Sequence, residues 1–158
     1  MENNTDTPTI SILESNHRDS LLLCWKIREG FRNDIPITRI KKYIDWYWEN
    51  RLKLLFEIEE EHIFSTIAPD DKLRKKALAQ HRKLRKLFEV KAESEYLKSI
   101  SLIEEELELH IRFAEKELFN TFMKTATPKE IAEIESIYNS ITTNQWKDPF
   151  WEEEKETI

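Results

Sequence analysis

The chain of 158 residues holds four histidines, His17, His62, His81 and His110, spread over most of its length. His81 belongs to the stripe Ala77, His81, Leu84 and Phe88, and His110 to the stripe Leu107, His110, Ala114 and Leu118. Residues three and four apart share a helix face, so both imidazoles are expected to point inward among hydrocarbon. The same construction carries Leu52, Leu55, Glu59 and either His62 or Ile63 to the interior. An ionised carboxylate in a core is costly unless it is paired or bound to a cation. Three imidazoles and one carboxylate arriving from four helices form a donor set for a divalent ion such as iron, manganese or zinc. The alternative is that each histidine is a core or boundary residue whose ring nitrogens meet backbone or water.

These donors need helices to carry them, and the apolar spacing supplies four. Residues 1–14 read as a polar arm anchored by Ile10, Ile12 and Leu13. A first helix runs from Asn16 until the lone Gly30 and the turn Asn33-Asp34-Ile35-Pro36 stop it. A second starts near Ile37, places Ile40, Tyr43, Ile44, Tyr47, Trp48, Leu52, Leu55, Phe56 and Ile63 at spacings of three and four, and ends near Ser65. Ala68-Pro69-Asp70-Asp71 suits the start of a third helix that reaches Val90. The fourth spans Ser94 to Met123. Thr127, Pro128 and Glu130 form a capping-box pattern that predicts a short fifth helix. Trp146, Phe150 and Trp151 then precede an acidic end and are expected to dock on the helices. The fold predicted is all-α: an up-down-up-down four-helix bundle over residues 15–141 with the short fifth helix, and a C-terminal tail over 142–158.

Composition narrows the function. A single glycine rules out a glycine-rich phosphate loop, and the net charge of −6 with interleaved signs leaves no basic face for nucleic acid. Cys24 is the only cysteine, so neither a disulfide framework nor a cysteine-rich zinc site can form, and its neighbours in Leu21-Leu22-Leu23-Cys24-Trp25 read as core. With no signal peptide or membrane span visible, a cytoplasmic protein is expected. No catalytic residue is assigned, and a non-enzymatic role is expected. The cluster Tyr43, Trp46, Tyr47 and Trp48 could line a pocket or an electron path, with aromatic packing as the simpler explanation.

Setting residues 55–64 (LFEIEEEHIF) under 110–119 (HIRFAEKELF) aligns an apolar residue, a glutamate and a closing apolar pair that ends in phenylalanine. These segments, with "NHRDSLLLCWKIREGF" and "QHRKLRKLF", resemble the hemerythrin-like family, the HHE cation-binding domain, over roughly residues 15 to 125. The resemblance implies a four-helix bundle with a non-haem di-iron site, whose histidines come from all four helices and whose second and fourth helices each carry His-x-x-x-Glu. It also implies a role in oxygen binding, iron or oxygen sensing, or repair of iron centres under nitrosative stress.

Carried over by position, His17, Glu59, His81 and His110 match ligand places, while Leu55 stands for the second-helix histidine and Ala114 for the fourth-helix glutamate. Losing one imidazole and one carboxylate favours one iron ion over two, with zinc or manganese as alternatives. Glu115, five residues after His110, is a candidate replacement carboxylate, although a regular helix turns it about 140° away. His62, one turn beyond Glu59, is a candidate replacement imidazole. Arg85, one turn after His81, would neutralise Glu59 if it points inward. The expected function is metal binding with oxygen or nitric oxide as a possible small-molecule partner; the alternative is a metal-free bundle acting as a structural or interaction module.

Overall fold

The computed structural model describes residues 8–141 and 145–153, with the side chains of 8–12 excepted. Among the described residues there is no strand, and none of the helices is long and apolar enough to cross a membrane. The helices are α1 (Pro8–Arg32), α2 (Ile37–Tyr47), α3 (Lys53–His62), α4 (Lys72–Phe88), α5 (Tyr96–Phe113), α6 (Phe119–Thr125) and α7 (Pro128–Ser140). A π-helical turn, Trp48–Leu52, joins α2 to α3, and a second, Ala114–Leu118, joins α5 to α6. The described residues therefore make five helical rods. α1 packs on α5 and α7, α4 on α5 and α3, α2 on α5, and α3 on α7.

α1 shows why these residues are helical. Leu13, Asn16, His17, Ser20, Leu23, Cys24 and Ile27 recur every three or four positions and all are buried, whereas Leu22 and Trp25 face outward. Residues 8–14, read from the sequence as an arm, lie in this helix. Gly30 lies in α1 and does not stop it. A Cβ there would meet Ile40 Cδ1 at 2.7 Å and Phe150 Cε1 at 3.0 Å, so the missing side chain admits two neighbours. The helix ends instead on Asp34, the one described non-glycine residue with positive φ (56°). Ile35 N donates to Gly30 O at 2.9 Å and Asp34 N to Phe31 O at 3.2 Å, a Schellman closure.

Two helix starts follow the sequence. Asp71 caps α4 by accepting from Leu73 N at 2.7 Å, and Thr127 with Glu130 closes the capping box of α7, with Pro128 in its first turn. Buried Lys41 caps the other end of α4, donating to Phe88 O at 3.1 Å and pairing with Asp45 at 2.7 Å.

The described part of the tail docks through aromatic rings. Tyr43 has Trp151 at 5.0 Å, Trp146 at 5.5 Å and Phe150 at 5.7 Å between centroids, and Trp46 reaches Trp146 at 5.5 Å. Arg39 clasps Asp148 in a two-pronged ion pair (2.9 and 2.6 Å) and also meets Glu153. The acidic residues 154–158 lie outside the described residues.

Candidate metal centre

Four rods each deliver one donor to the interior: His17 from α1, Glu59 from α3, His81 from α4 and His110 from α5. All four are at least nine-tenths buried, His81 completely. His81 Nε2 lies 3.1 Å from His110 Nε2 and 3.2 Å from Glu59 Oε1. The ligand atoms of Glu59, His81 and His110 all fall within 4.8 Å of one another. The other carboxylate oxygen, Glu59 Oε2, is 3.6 Å from His17 Nε2.

Donor separations of this size suit a common ion. Metal–ligand bonds of about 2.1 Å place neighbouring donors about 3.0 Å apart in octahedral and about 3.4 Å apart in tetrahedral coordination. The far sides of two rings are held as metal-binding histidines require. His81 Nδ1 is 2.6 Å from Glu60 Oε2, and Glu60 is in turn clamped by Arg85 at 2.9 Å. His110 Nδ1 is 2.6 Å from Gln80 Oε1. A carboxylate and an amide oxygen can only accept, so both Nδ1 atoms carry hydrogen and both Nε2 atoms turn toward the shared space.

That arrangement leaves two Nε2 lone pairs facing each other, which calls for a cation between them. A proton is one solution: His81 as imidazolium donates to Glu60 and to His110. Burial lowers the His81 pKa, but the adjoining Glu59 and Glu60 carboxylates outweigh it and raise it above the usual histidine value. His110 moves the opposite way, down to about 3, through burial and the neighbouring His81. Burial raises the Glu59 pKa, and its interactions with His17 and His81 outweigh that and leave it below the usual carboxylate range.

The proton does not satisfy every donor. Glu59 Oε1 lies 3.2 Å from His81 Nε2 but makes no hydrogen bond, since that nitrogen is aligned on His110, and His17 Nδ1 is likewise buried without a hydrogen-bond partner. A divalent ion touching Glu59 Oε1 and both Nε2 atoms would satisfy that oxygen and both lone pairs at once, so the residues present fit a metal.

Aromatic walls fix the rings. Phe56 stacks on His81 at 3.8 Å with planes 8° apart, and Phe119 stacks on His17 at 4.8 Å. The π turns matter here, since such turns shift the inward face by one residue and recur at functional sites. Within Ala114–Leu118 Glu117 is exposed and Leu118 buried, and beyond it the buried positions are Phe119 and Phe122. The extra residue is what turns Phe119 onto His17. On the His17 side a cavity of about 10 Å³ is bounded by Ser20, Leu52, Leu55, Leu107 and Ile111 as well as His17, Glu59 and His110.

The other sequence candidates lie elsewhere. Glu115 is half-buried and lines a surface pocket with Leu13, Glu14, Phe119, Asn120 and Met123. His62 sits at the end of α3 with Glu61 at 3.9 Å as its ionic neighbour. Arg85 pairs with Glu60 instead of Glu59. Leu55 and Ala114 are both buried hydrocarbon. Cys24 is buried among core residues outside the Glu59, His81 and His110 group, and burial is the main cause that pushes its thiol up to about 12.

Sequence reasoning missed Glu60 and Gln80. They are chain neighbours of Glu59 and His81 but anchor the ring on another helix, and adjacency was the available signal. Tyr138, from α7, has a buried hydroxyl without a hydrogen-bond partner, and the Glu59 charge acts on it. Compared with known proteins, the chain matches no family model, no curated protein and no solved structure.

Proposed function

We propose that this chain is a hemerythrin-like, up-down-up-down four-helix bundle that binds one transition-metal ion, with iron as the first choice and zinc or manganese as alternatives. Glu59, His81 and His110 would hold the ion, with His17 placed on the second oxygen of Glu59. The observation that carries this reading is the pair of Nε2 atoms at 3.1 Å whose Nδ1 partners are both acceptors. A single ion is favoured over two because Leu52, Leu55 and Ile111 occupy the His17 side with hydrocarbon, leaving few donors for a second. Bound iron would supply a Lewis-acidic, redox-active centre able to take a small molecule such as oxygen or nitric oxide, which suits sensing or stress response in a reducing cytoplasm.

Metal analysis of protein purified without chelator tests the proposal. About one ion per chain is expected, removable by chelator with a fall in melting temperature, since a ligand bound only by the folded state stabilises it. No ion above trace, with a melting temperature indifferent to chelator and to added iron, zinc or manganese, would sink it. The second reading is a metal-free bundle used as a structural or interaction module. It is favoured by the unbroken chain Glu60, His81, His110, Gln80, which one extra proton completes.

A further inference from the structure

The interleaving of acidic and basic residues read from the sequence breaks at α4. Its 17 residues hold eight Lys or Arg and no Asp or Glu, in a chain whose net charge is −6. Part of that charge serves the fold. Arg85 pairs with Glu60 at 2.9 Å, Lys83 with Glu106 at 2.8 Å, and the Lys76 ammonium sits over the Phe113 ring at 4.4 Å. Lys72, Lys75, Arg82 and Lys86 are exposed, and their side chains make no ion pair or hydrogen bond among the described residues. With exposed Ala79 between them they recur at steps of three and four. That spacing sets them in one row on the side of α4 opposite the buried stripe of Ala77, His81, Leu84 and Phe88. At 1.5 Å per residue the row is about 21 Å long, and exposed Asp70 and Glu89 bound it.

Folding does not ask for this row. Lys72, Arg74 and Lys75 stand in the first turn of α4, where the helix dipole favours anions and no acid is present. Lys72 with Lys75, and Arg82 with Lys86, are like charges three and four apart, a spacing at which they destabilise a helix. A local rule broken without a compensating contact points to a use outside the fold. We infer that the row is a docking strip for the phosphodiester backbone of a nucleic-acid duplex, bound without reading its sequence. The large hydrophobic side chains exposed among the described residues, such as Leu22, Trp25 and Leu109, all lie off α4. The strip therefore lacks the apolar anchor that a membrane interface or the centre of a protein interface uses. No aromatic ring stands in the row for single-stranded bases to stack on. Bare cations bind well where they release condensed counterions, which a duplex backbone supplies. The acidic remainder of the chain repels a polyanion from other faces and so orients its approach. None of this depends on a metal ion.

The test is fluorescence anisotropy of an end-labelled DNA duplex of about 20 base pairs, titrated with the full chain in chelator from about 50 to 200 mM salt. Four neutralised phosphates give a slope of about −3.6 in log K against log salt, so affinity should fall about 150-fold over that range. In the double variant Lys72→Gln with Lys75→Gln the slope should halve to about −1.8. Lys129→Gln, at an exposed lysine of α7, should leave it unchanged. The double variant should melt no lower than the wild type, because it removes two dipole-opposed, unpaired charges. A lower melting temperature would make the row structural and overturn the inference. So would absence of duplex binding at the lowest salt, or a slope that the double variant does not change. Tighter binding to phosphatidylserine vesicles, or to a single strand of the same length, than to the duplex would overturn it as well.

Discussion

Raising the pH should weaken the metal-free protein and leave the metal-loaded protein unaffected over the same range. In an unfolded chain the histidines titrate near about 6.5. The folded pKa of His81 is raised, so its contribution to stability is fully present below that value and is lost as pH climbs through the folded pKa. Between the two pKa values the native state holds one proton more than the unfolded chain, which makes the loss up to about 1.4 kcal/mol per pH unit. His110 and Glu59, both lowered, act at acid pH: stability grows as pH rises from about 3 through the range where unfolded His110 still takes up a proton. Metal-free stability should therefore peak near about pH 6.5 and decline above it. A bound ion replaces the His81 proton, so native and unfolded states then hold the same number and the slope above the peak vanishes. The gap between the two curves should widen by about 1.4 kcal/mol per pH unit, equivalent to tenfold tighter binding. Urea unfolding in buffered steps, with chelator and with excess zinc, measures both curves. Parallel curves would refute the reasoning, because they would mean that proton and metal do not compete for one position.

Three further outcomes follow from named contacts. Glu60→Leu and Gln80→Leu each release an imidazole that is anchored at 2.6 Å, so each should weaken metal binding about 10- to 100-fold without changing stoichiometry, as read by competition with a chelating dye. Gly30→Ala gains up to about 1 kcal/mol of helix propensity but drives a Cβ into Ile40 and Phe150, an overpacking that costs about 1–3 kcal/mol. Its melting temperature should fall, and a rise would show that Phe150 does not sit on α1. Thr127→Ala removes the α7 cap and should cost about 1 kcal/mol in chemical denaturation, with no loss counting against the capping box.

The legible parts of the molecule were those set by local periodicity and caps. The stripes through Ala77 and Leu107 turned His81 and His110 inward, and Asp71 and Thr127 marked their helix starts, because these signals depend on spacings within one helix. Glu59 was readable for the same reason. The rest depended on partners that no single segment contains. Gly30 looked like a stop until Ile40 and Phe150 were seen against it. The regular-helix argument that turned Glu115 away could not anticipate the π turn over Ala114–Leu118, which serves to bring Phe119 onto His17. Glu60 and Gln80 act across helix seams.

The central claim is that Glu59, His81 and His110 close around one ion. X-ray absorption of the iron- or zinc-loaded protein tests it most directly. The account predicts a first shell of nitrogen and oxygen at about 2.0–2.2 Å with multiple scattering from at least two imidazoles, and no metal neighbour at about 3.5–4 Å. A shell of water oxygens without imidazole scattering, or a second metal at that distance, would contradict it.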